Sequence, residues 1–593
     1  MAQSRFHKLI EYLRPHWQAT IAGILAILIV NILGVLIPLV IRSSVNRLQT
    51  TNRFADVLQG VLLIVGMASL MWAIRIVSRM LLFGTGRQVE YDLKQKMFNH
   101  LLGMEPAYFA TNTAGDLISR FTSDVDNIRR LLGFAVLSFV NTLFAYGLTL
   151  PVMLSINLRL SLLAISVYPL MLVLVKLFSE RLRSEQLEVQ QRLSDMSDLI
   201  QEDVSGIALI KIYAQEENER AEFRRLNQQL LTANLTLAKT RNLLFPMLIG
   251  IASLSYLILL WLGAGAIAAN TLTVGDFVAL LLYIERLIFP TALLGFTITA
   301  YQRGEVSIDR IEAVLSNRPK IVDAPDAVTL APESASSGDL NRLTTKALGI
   351  TARHLTYTYP GAPYPALKDV NFTIHPGEMV AIVGPVGSGK STLANALPRL
   401  LDVAPNQLFL GGYDITKLRL ADLRGAIAYV PQDSFLFSTS IKDNIRYGAP
   451  QSELSQVEAA AKEAQIHTEI INFPQQYETI VGERGITLSG GQRQRTALAR
   501  ALLVDAPVLI LDDALSSVDN QTATQILENL AHGTSRKTVI FISHQLSVAA
   551  LADRILVMDQ GQVVQSGSHT ELLHQPGLYQ YLWSQYKLQE VLS

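Results

Sequence analysis

A glycine-rich segment with one lysine and three hydroxyl side chains offers the clearest chemistry in this chain. The segment follows the apolar run Met379–Val383 and consists of Gly384, Pro385, Val386, Gly387, Ser388, Gly389, Lys390, Ser391 and Thr392. Glycines let successive backbone N–H groups turn toward phosphate oxygens, and the positive end of a following helix faces the same anion. We therefore predict a nucleotide site in which Lys390 reaches the β- and γ-phosphates and the Ser391 hydroxyl binds Mg²⁺.

A carboxylate ends a second apolar run farther along the chain. The run is Val508–Asp512, and its terminal Asp512 is suited to hold a metal through water. Many buried strands end in aspartate, so this pattern alone is weak. Its position downstream of a phosphate loop makes Asp512 the predicted partner of Mg²⁺.

A second pattern for binding anions lies between these two. The string Leu488–Arg495 contains Ser489, Gly490, Gly491 and Gln492 at the start of a predicted helix. A hydroxyl and two glycines at a helix start form an anion site. Because the chain already has a phosphate loop, this second site must serve a different nucleotide. The arrangement implies two such domains facing each other head to tail.

The elements around these motifs alternate between short apolar runs and helical segments. This alternation starts near residue 350 and continues to the end of the chain. It is typical of a strand–helix fold with an α/β sheet. We predict domains at 1–315 and 350–593, joined by a linker at 316–349 that is rich in Pro, Ala, Ser and Asp.

The composition of the whole chain limits the classes of protein to which it can belong. Half of the 593 residues are hydrophobic, 17% are charged and the mean hydropathy is +0.29. Such a bias excludes a disordered or coiled-coil protein. Lys+Arg and Asp+Glu are 50 each, so no basic excess points to nucleic acid, and the lack of cysteine excludes disulfides and thiol catalysis.

Six apolar stretches in the first half are each long enough to cross a bilayer. Their approximate bounds are 19–41, 57–82, 131–156, 160–178, 243–268 and 277–299. The loops after the second and fourth stretches are long and rich in Lys and Arg, and the positive-inside rule places them in the cytoplasm with both chain termini. The arginines of the first outer loop run against that rule. Residues 1–17 are predicted to form an amphipathic helix on the inner leaflet.

These motifs resemble those of the ATP-binding-cassette (ABC) exporters, and the chain is similar to a half-transporter of that family. The resemblance covers nearly the whole length, and Leu488–Gln492 matches the family signature. It implies a multidomain fold: an all-α six-helix transmembrane domain plus an α/β P-loop NTPase domain. It also implies an ATPase that drives transport by alternating access in the plasma or bacterial inner membrane, with ATP and Mg²⁺.

The resemblance assigns roles to further residues of the second half. Tyr359 resembles the aromatic that stacks on adenine, and Gln432 resembles the Q-loop glutamine, which touches Mg²⁺ together with Ser391 and Asp512. His544 resembles the switch histidine that contacts the γ-phosphate. Two more strings resemble the D-loop, which ends at Asp519, and the X-loop. They are Ala514–Asp519 and Glu483–Gly485.

In the membrane half, two strings resemble the cytoplasmic loops that bear coupling helices: Gly115–Arg120 and Gly206–Lys211. The polar residues within the predicted spans include Asn31, Arg75, Arg79, Asn141, Glu285 and Arg286. The asparagines are predicted to hydrogen-bond between helices. The two arginines of span two either line the cavity or lie at the inner membrane surface, and the pair in span six falls where this family lines its cavity.

One position departs from the family pattern. The family usually has glutamate directly after the aspartate at position 512, as the base that polarises the attacking water, and this chain has Asp513. Aspartate is shorter by one methylene, about 1.5 Å. We expect the chain's own site to bind ATP and to hydrolyse it poorly, unless local backbone shifts restore the reach.

A weak base together with an intact signature string indicates that the two ATP sites of the dimer are not equivalent. The predicted partner is a second ABC half-transporter that carries the glutamate, so a heterodimer is favoured over a homodimer. The cargo is predicted to be a small amphipathic molecule, which is a drug, a lipid or a peptide. Membrane lipids are also predicted to contact the protein. The alternatives are a homodimeric lipid flippase or multidrug exporter, an importer on the exporter fold, and a nucleotide-gated channel.

Overall fold

A computed structural model of the chain describes residues 5–51, 54–330, 347–482, 485–532 and 537–592. It forms two compact units. The first comprises Met1–Leu102 and Asn112–Asn317, and the second comprises Gly103–Thr111 and Arg318–Ser593. The second unit is therefore discontinuous in sequence, because a nine-residue piece of the first long loop belongs to it.

The first unit is entirely helical over its described residues. Helix α4 (Pro106–Thr111) belongs to the second unit, and the other helices of this half are α1 (Arg5–Leu13), α2 (Trp17–Thr51), α3 (Phe54–Leu102), α5 (Ala114–Ser119), α6 (Val125–Arg130), α7 (Val136–Ile156), α8 (Leu158–Ile165), α9 (Tyr168–Ser205), α10 (Ile207–Ile212), α11 (Glu216–Ala268) and α12 (Val274–Leu315). Two π-helical turns, Arg120–Asp124 and Leu131–Ala135, join α5, α6 and α7 into one continuous rod.

Six helical segments of the described chain are long and apolar enough to cross a membrane, which confirms the predicted six-span fold. They are His7–Gln49, Val57–Leu102, Ala114–Ile156, Leu158–Ser205, Glu216–Ala268 and Val274–Leu315. Each is longer than the predicted apolar stretch, because charged helix continues past its end. In the fourth, Pro169 lies in the first turn of α9, where its missing N–H costs no helical hydrogen bond, and separates α8 from α9.

Side chains that bond to backbone groups of other helices hold the first unit together. The Tyr283 hydroxyl donates to the carbonyl of Val35 at 2.7 Å, and the Tyr168 hydroxyl donates to the carbonyl of Ile284 at 2.8 Å. At the N-terminus, the Tyr12 hydroxyl donates to Glu312 at 2.6 Å. Helix α1, predicted as amphipathic, therefore docks its buried face near the end of α12.

The second unit contains two sheets. Its strands are β1 (Ile350–Tyr357), β2 (Leu367–Ile374), β3 (Met379–Val383), β4 (Leu408–Leu410), β5 (Tyr413–Asp414), β6 (Ile427–Val430), β7 (Val508–Asp512), β8 (Thr538–Ile542), β9 (Arg554–Asp559) and β10 (Gln562–Gly567). An antiparallel sheet has the order β2-β1-β4-β5, and a six-stranded sheet has the order β10-β9-β3-β8-β7-β6. In the larger sheet, β3, β6, β7, β8 and β9 are parallel, and only β10 runs against them.

Helices cover the larger sheet, as expected for parallel strands that are apolar along their whole length. Together with the strands, they confirm the predicted α/β fold of this half. They are α13 (Lys390–Ala396), α14 (Leu420–Gly425), α15 (Ile441–Ile445), α16 (Leu454–Glu463), α17 (His467–Ile471), α18 (Gly490–Val504), α19 (Asn520–His532), α20 (Leu546–Ala549), α21 (His569–His574) and α22 (Leu578–Leu592). Strands β3 and β7 are buried at every residue, and their carboxyl ends open toward one edge, where the candidate site lies.

Candidate nucleotide-binding site

The loop between β3 and α13 has a backbone that only glycine permits at two points. Gly389 has φ +97°, a left-handed conformation, and a side chain there would approach the carbonyl of Ala366 to 2.7 Å. At Gly384, a side chain would collide with the carbonyl of Met558. Glycine relieves both constraints, so the chain can wrap tightly before α13 begins at Lys390. This geometry turns the helix start toward the loop interior.

Lys390 projects into this loop. Its ammonium donates to the carbonyls of Gly384 at 2.9 Å and Pro385 at 2.8 Å, and lies 3.4 Å from the Ser388 hydroxyl. Burial lowers the pKa of Lys390, because the charged form loses solvation. A cation held this way is ready for an anion that replaces water, as the phosphates of a nucleotide do.

Two carboxylates face this lysine from the end of β7 and just beyond it. Asp512 accepts hydrogen bonds from the Ser391 hydroxyl at 3.0 Å and from the Tyr429 hydroxyl at 3.3 Å. Burial raises the pKa of Asp512 and of Asp513, since no described cation pairs with either carboxylate at ion-pair distance. Sequence reasoning missed Tyr429, although β6 lies beside β7 in the parallel sheet.

These groups line one cavity of about 260 Å³. Among its described lining residues are Gly387, Gly389, Lys390, Ser391, Thr392, Gln432, Asp512, Asp513 and His544. Hydroxyl, amide and carboxylate oxygens are the ligands that Mg²⁺ prefers, so Ser391, Gln432 and Asp512 fit that ion. The described residues contain no cluster of three or more His, Cys, Asp or Glu that could hold a metal ion.

Asp513 sits on a rigid turn. It has φ +51°, and its N–H donates to the carbonyl of Ile542 at 3.2 Å. Its own carbonyl accepts from the Ser516 hydroxyl at 2.9 Å and from the Gln494 amide at 3.3 Å. Gln494 also accepts from the N–H of Ser517 at 2.9 Å. Gln494 lies in the string Leu488–Arg495, just after the signature, but had no assigned role; only its burial in the fold reveals it.

The signature string begins α18 and does not border this cavity, judged by the described residues that line it. The Ser489 hydroxyl accepts from the N–H of Gln492 at 3.2 Å, and the Gln492 side chain accepts from the N–H of Ser489 at 2.9 Å. At Gly491, a side chain would approach the carbonyl of Ser517 to 2.7 Å, so this glycine lets the two segments touch. Ser489 and Gly490 are exposed.

Of the remaining predicted sites, the structure describes Tyr359 and Asp519 and only part of the X-loop. The Tyr359 hydroxyl lies 3.2 Å from the Thr392 hydroxyl, with its ring partly exposed beside the loop. Asp519 accepts from the N–H of Thr522 at 2.9 Å at the start of α19, and that bond lowers the pKa of Asp519. Glu483 and Arg484 of the predicted X-loop lie outside the described residues.

Comparison with known proteins decides the family. Residues 20–291 match the ABC transporter transmembrane region, and residues 367–516 match the ABC transporter family. The Escherichia coli multidrug resistance-like ATP-binding protein MdlA is 32% identical over 592 residues, which cover 99% of this chain and 98% of that protein. The chain belongs to the ABC transporter family.

Two further similarities extend over the full length of this ABC transporter. The Bacillus subtilis multidrug resistance ABC transporter ATP-binding/permease protein YheI is 32% identical over 591 residues, which cover 99% of this chain and 98% of that protein. A bacterial Atm1-family ABC exporter, solved with ATP bound, matches with a TM-score of 0.77 and 26% identity, covering 96% of this chain and 99% of that chain. The chain is thus a multi-pass membrane protein with the ABC exporter fold and an ATPase domain that powers transport.

The polar residues of the transporter's membrane unit form a connected set. The Asn31 amide donates to the Asn141 side chain at 3.1 Å, a bond between α2 and α7. Arg286 of α12 donates to the Asn31 side chain at 2.9 Å and to the Asn31 carbonyl at 3.1 Å. The guanidinium fills the space above Gly34, where a side chain would collide with it. Arg75, Arg79 and Glu285 line the same cavity of about 500 Å³.

The two strings expected to bear coupling helices both lie in the first unit. Gly206–Lys211 overlaps the short helix α10 of the first unit. Gly115–Arg120 lies in α5 and the turn after it, also in the first unit. The part of the first loop that joins the second unit is instead Gly103–Thr111, which contains α4.

Proposed function

We propose that this ABC transporter exports amphipathic molecules as one half of a heterodimer, in which its own ATP site binds nucleotide and hydrolyses it slowly. The observation that carries the proposal is Asp513 at the position of the catalytic base. The side chain lines the cavity with Lys390 and His544, so it occupies the base's place with a shorter reach.

The fixed turn around Asp513 supports a weak site. A base must come within hydrogen-bond distance of its water, about 2.6–3.2 Å, and a misplacement of 1 Å can cost about 10²-fold in rate. A shift of the backbone would recover the missing methylene length of about 1.5 Å. Such a shift would break the bonds of the Asp513 carbonyl to Ser516 and Gln494. The aspartate therefore keeps its short reach.

The exposed signature supports the second half of the proposal. Ser489 and Gly490 face solvent at the start of α18, with the helix N-terminus behind them. Such a start attracts an anion. In a dimer that faces head to tail, Ser489–Gln492 completes the partner's site, where a glutamate base does the hydrolysis.

Coupling follows from differential binding. Two ATP molecules are held between facing ATPase domains, and the closed state binds them better than the open state. Ser391, Asp512 and Gln432 would hold Mg²⁺, which would neutralise charge on the β- and γ-phosphates of bound ATP. Closure moves the membrane helices so that the cavity opens outward, and hydrolysis in the partner's site resets it. Both termini lie in the cytoplasm. The relatives named for multidrug resistance favour an amphipathic cargo.

The test is ATP turnover by the purified chain, alone and with a half-transporter that carries glutamate directly after the aspartate equivalent to Asp512. Alone, the chain is expected to hydrolyse slowly, and Asp513→Glu is expected to raise its rate about tenfold or more, since the base regains its reach. Asp513→Asn serves as the matched control, because it removes the base without adding length. Adding the partner is expected to restore high turnover.

Fast turnover by the unmodified chain on its own, unchanged by Asp513→Glu and coupled to transport, would overturn the heterodimer. In that case the chain is a homodimeric exporter with a functional aspartate base. Nucleotide binding is measured separately in each sample, so that a misfolded variant is recognised by its loss of ATP affinity.

A further inference from the structure

A cavity of about 710 Å³ in the membrane unit is lined by an unusual number of arginines. Five guanidinium groups face it, and no aspartate or glutamate is among its described lining residues. The arginines are Arg129, Arg130, Arg183, Arg241 and Arg303. The rest of the lining is mostly apolar and includes three phenylalanines, Phe134, Phe245 and Phe296.

Two of the five arginines are neutralised by neighbours outside the cavity. Arg129 pairs with Asp126 and lies 3.4 Å from Glu90, and Arg130 pairs with Asp126 at 2.6 Å. The other three, Arg183, Arg241 and Arg303, make no ion pair and no hydrogen bond with any residue that the structure describes. Three strong cations therefore share one cavity without a counter-charge from the protein.

The arginines come from separate helices. Arg129 and Arg130 end α6, while Arg183, Arg241 and Arg303 lie on α9, α11 and α12. Each lies a few residues beyond an apolar stretch of the sequence, at the charged end of a span. Arginines at the ends of spans can satisfy the positive-inside rule on whichever side of the helix they lie. Their convergence on one enclosed space is a separate fact, which that rule does not require.

A smaller cavity continues the same pattern. It shares Phe134 with the larger one and is lined by Arg75, Arg79 and Arg286 against a single carboxylate, Glu285. Arg75 and Arg79 make no ion pair with a described residue either. Basic groups and phenylalanine rings thus extend from the end of the spans into the apolar part of the unit.

We propose that the cargo is an anionic amphiphile, with a phosphate head bound by Arg183, Arg241 and Arg303 and an apolar chain laid along Phe134, Phe245 and Phe296. This deepens the proposed export function and rests on it. Guanidinium groups form paired, charge-assisted hydrogen bonds with phosphate, and these strengthen where water is partly excluded. A free phosphate would use the arginines but leave the phenylalanines without a ligand, so the lipid form fits the whole cavity.

The test measures binding of radiolabelled lysophosphatidic acid to the full chain in nanodiscs of phosphatidylcholine, without nucleotide and without a partner subunit. Monoacylglycerol with the same acyl chain lacks the phosphate, and glycerol 3-phosphate lacks the chain. We expect lysophosphatidic acid to bind at least about tenfold more tightly than either, because each loses one of the two sets of contacts.

Three variants locate the site. Replacing Arg183, Arg241 and Arg303 together by glutamine is expected to weaken binding about tenfold or more. The matched control replaces Arg192, Arg220 and Arg225 on the same long helices α9 and α11, which removes three charges that do not line the cavity. Lysine at positions 183, 241 and 303 keeps the charge and is expected to retain most of the binding.

Equal binding of lysophosphatidic acid by the glutamine variant and the unmodified chain would overturn the proposal, and so would equal binding of monoacylglycerol. Tight binding of glycerol 3-phosphate would show a site for free phosphate esters and would also overturn it. Because no ATP is present, these outcomes do not depend on Asp513. Failure of the heterodimer and failure of the anionic cargo are thus seen in different experiments.

Discussion

The nucleotide site and the arginine-lined cavity of the membrane unit are built in opposite ways. The candidate nucleotide site takes half of its described lining residues from the single segment 384–392, and adds side chains that lie mostly at or just after the ends of neighbouring parallel strands. The cavity gathers Arg129, Arg183, Arg241 and Arg303 from helices far apart in sequence. In the first, local backbone geometry fixes the chemistry. In the arginine-lined cavity, the packing of the helices determines which side chains meet, and a single residue can be replaced without disturbing a sequence motif.

The difference has a functional consequence. Substitutions at the tight glycine turns are expected to disrupt the phosphate loop. Side chains on separate helices can be replaced without loss of a backbone motif, so substitutions in the arginine-lined cavity are expected to leave the nucleotide site intact. The following experiments test whether the two regions are as independent as this contrast requires.

The largest effect is expected at Lys390. Lys390→Ala removes the buried cation that we expect to contact the phosphates of ATP, and ATP affinity is expected to fall about 100-fold, as for other truncated buried charge contacts. Binding of lysophosphatidic acid should be unchanged. Equilibrium binding of both ligands checks this, with Lys462→Ala on exposed α16 as control. A parallel loss of both ligands would show that the two regions are not independent.

A smaller effect is expected at Gly34, where an added methyl group meets the Arg286 guanidinium. Gly34→Ala forces that side chain away from Asn31, and overpacking of this kind costs about 1–3 kcal/mol of stability. The thermal midpoint of the purified chain should drop, and adding Arg286→Leu should restore part of it. Gly147→Ala, which meets no atom within 4 Å, is the control. Equal midpoints for both alanine variants would contradict the described packing.

The smallest effect concerns charge at Asp512. Burial raises the pKa of Asp512 in the folded protein, so its contribution to stability is fully present below the ordinary aspartate pKa and is lost as pH rises through the folded-state value. Asp512→Asn stays neutral, so the nucleotide-free variant should melt about 2 °C higher than the unmodified chain at pH 8, with little difference at pH 3. Thermal unfolding at both pH values measures this. Asp402→Asn, at an exposed position, is the matched control for the loss of one carboxylate.

Much of the geometry of the candidate nucleotide site could be predicted, because many of its residues lie close together in the sequence. The glycine spacing from Gly384 to Gly389 and the strand before it predict a tight loop, and Asp512 ends a strand that is buried throughout. Tyr429 and Gln494 were missed, because their roles depend on which strand or turn packs beside them. No sequence spacing links Gln494 to the carbonyl of Asp513.

For the membrane unit, the number of spans could be predicted from the sequence, but the rotation of each helix about its axis could not. Apolar length predicts six spans, which the structure confirms, and the hydrogen bond between Asn31 and Asn141 follows the expected pattern for polar residues in spans. The convergence of Arg183, Arg241 and Arg303 depends on the rotation of each helix about its axis. A helix with apolar residues on all sides has no periodic pattern that would specify this rotation.

The membership of Gly103–Thr111 in the ATPase unit limits how that unit can be cut out for study. The Glu105 carboxylate accepts a hydrogen bond from the N–H of Lys320 at 3.2 Å, and Tyr108 is buried. A fragment that starts at Arg318 would lack both. To study the ATPase unit in isolation, those nine residues would have to be attached through a linker or supplied as a peptide.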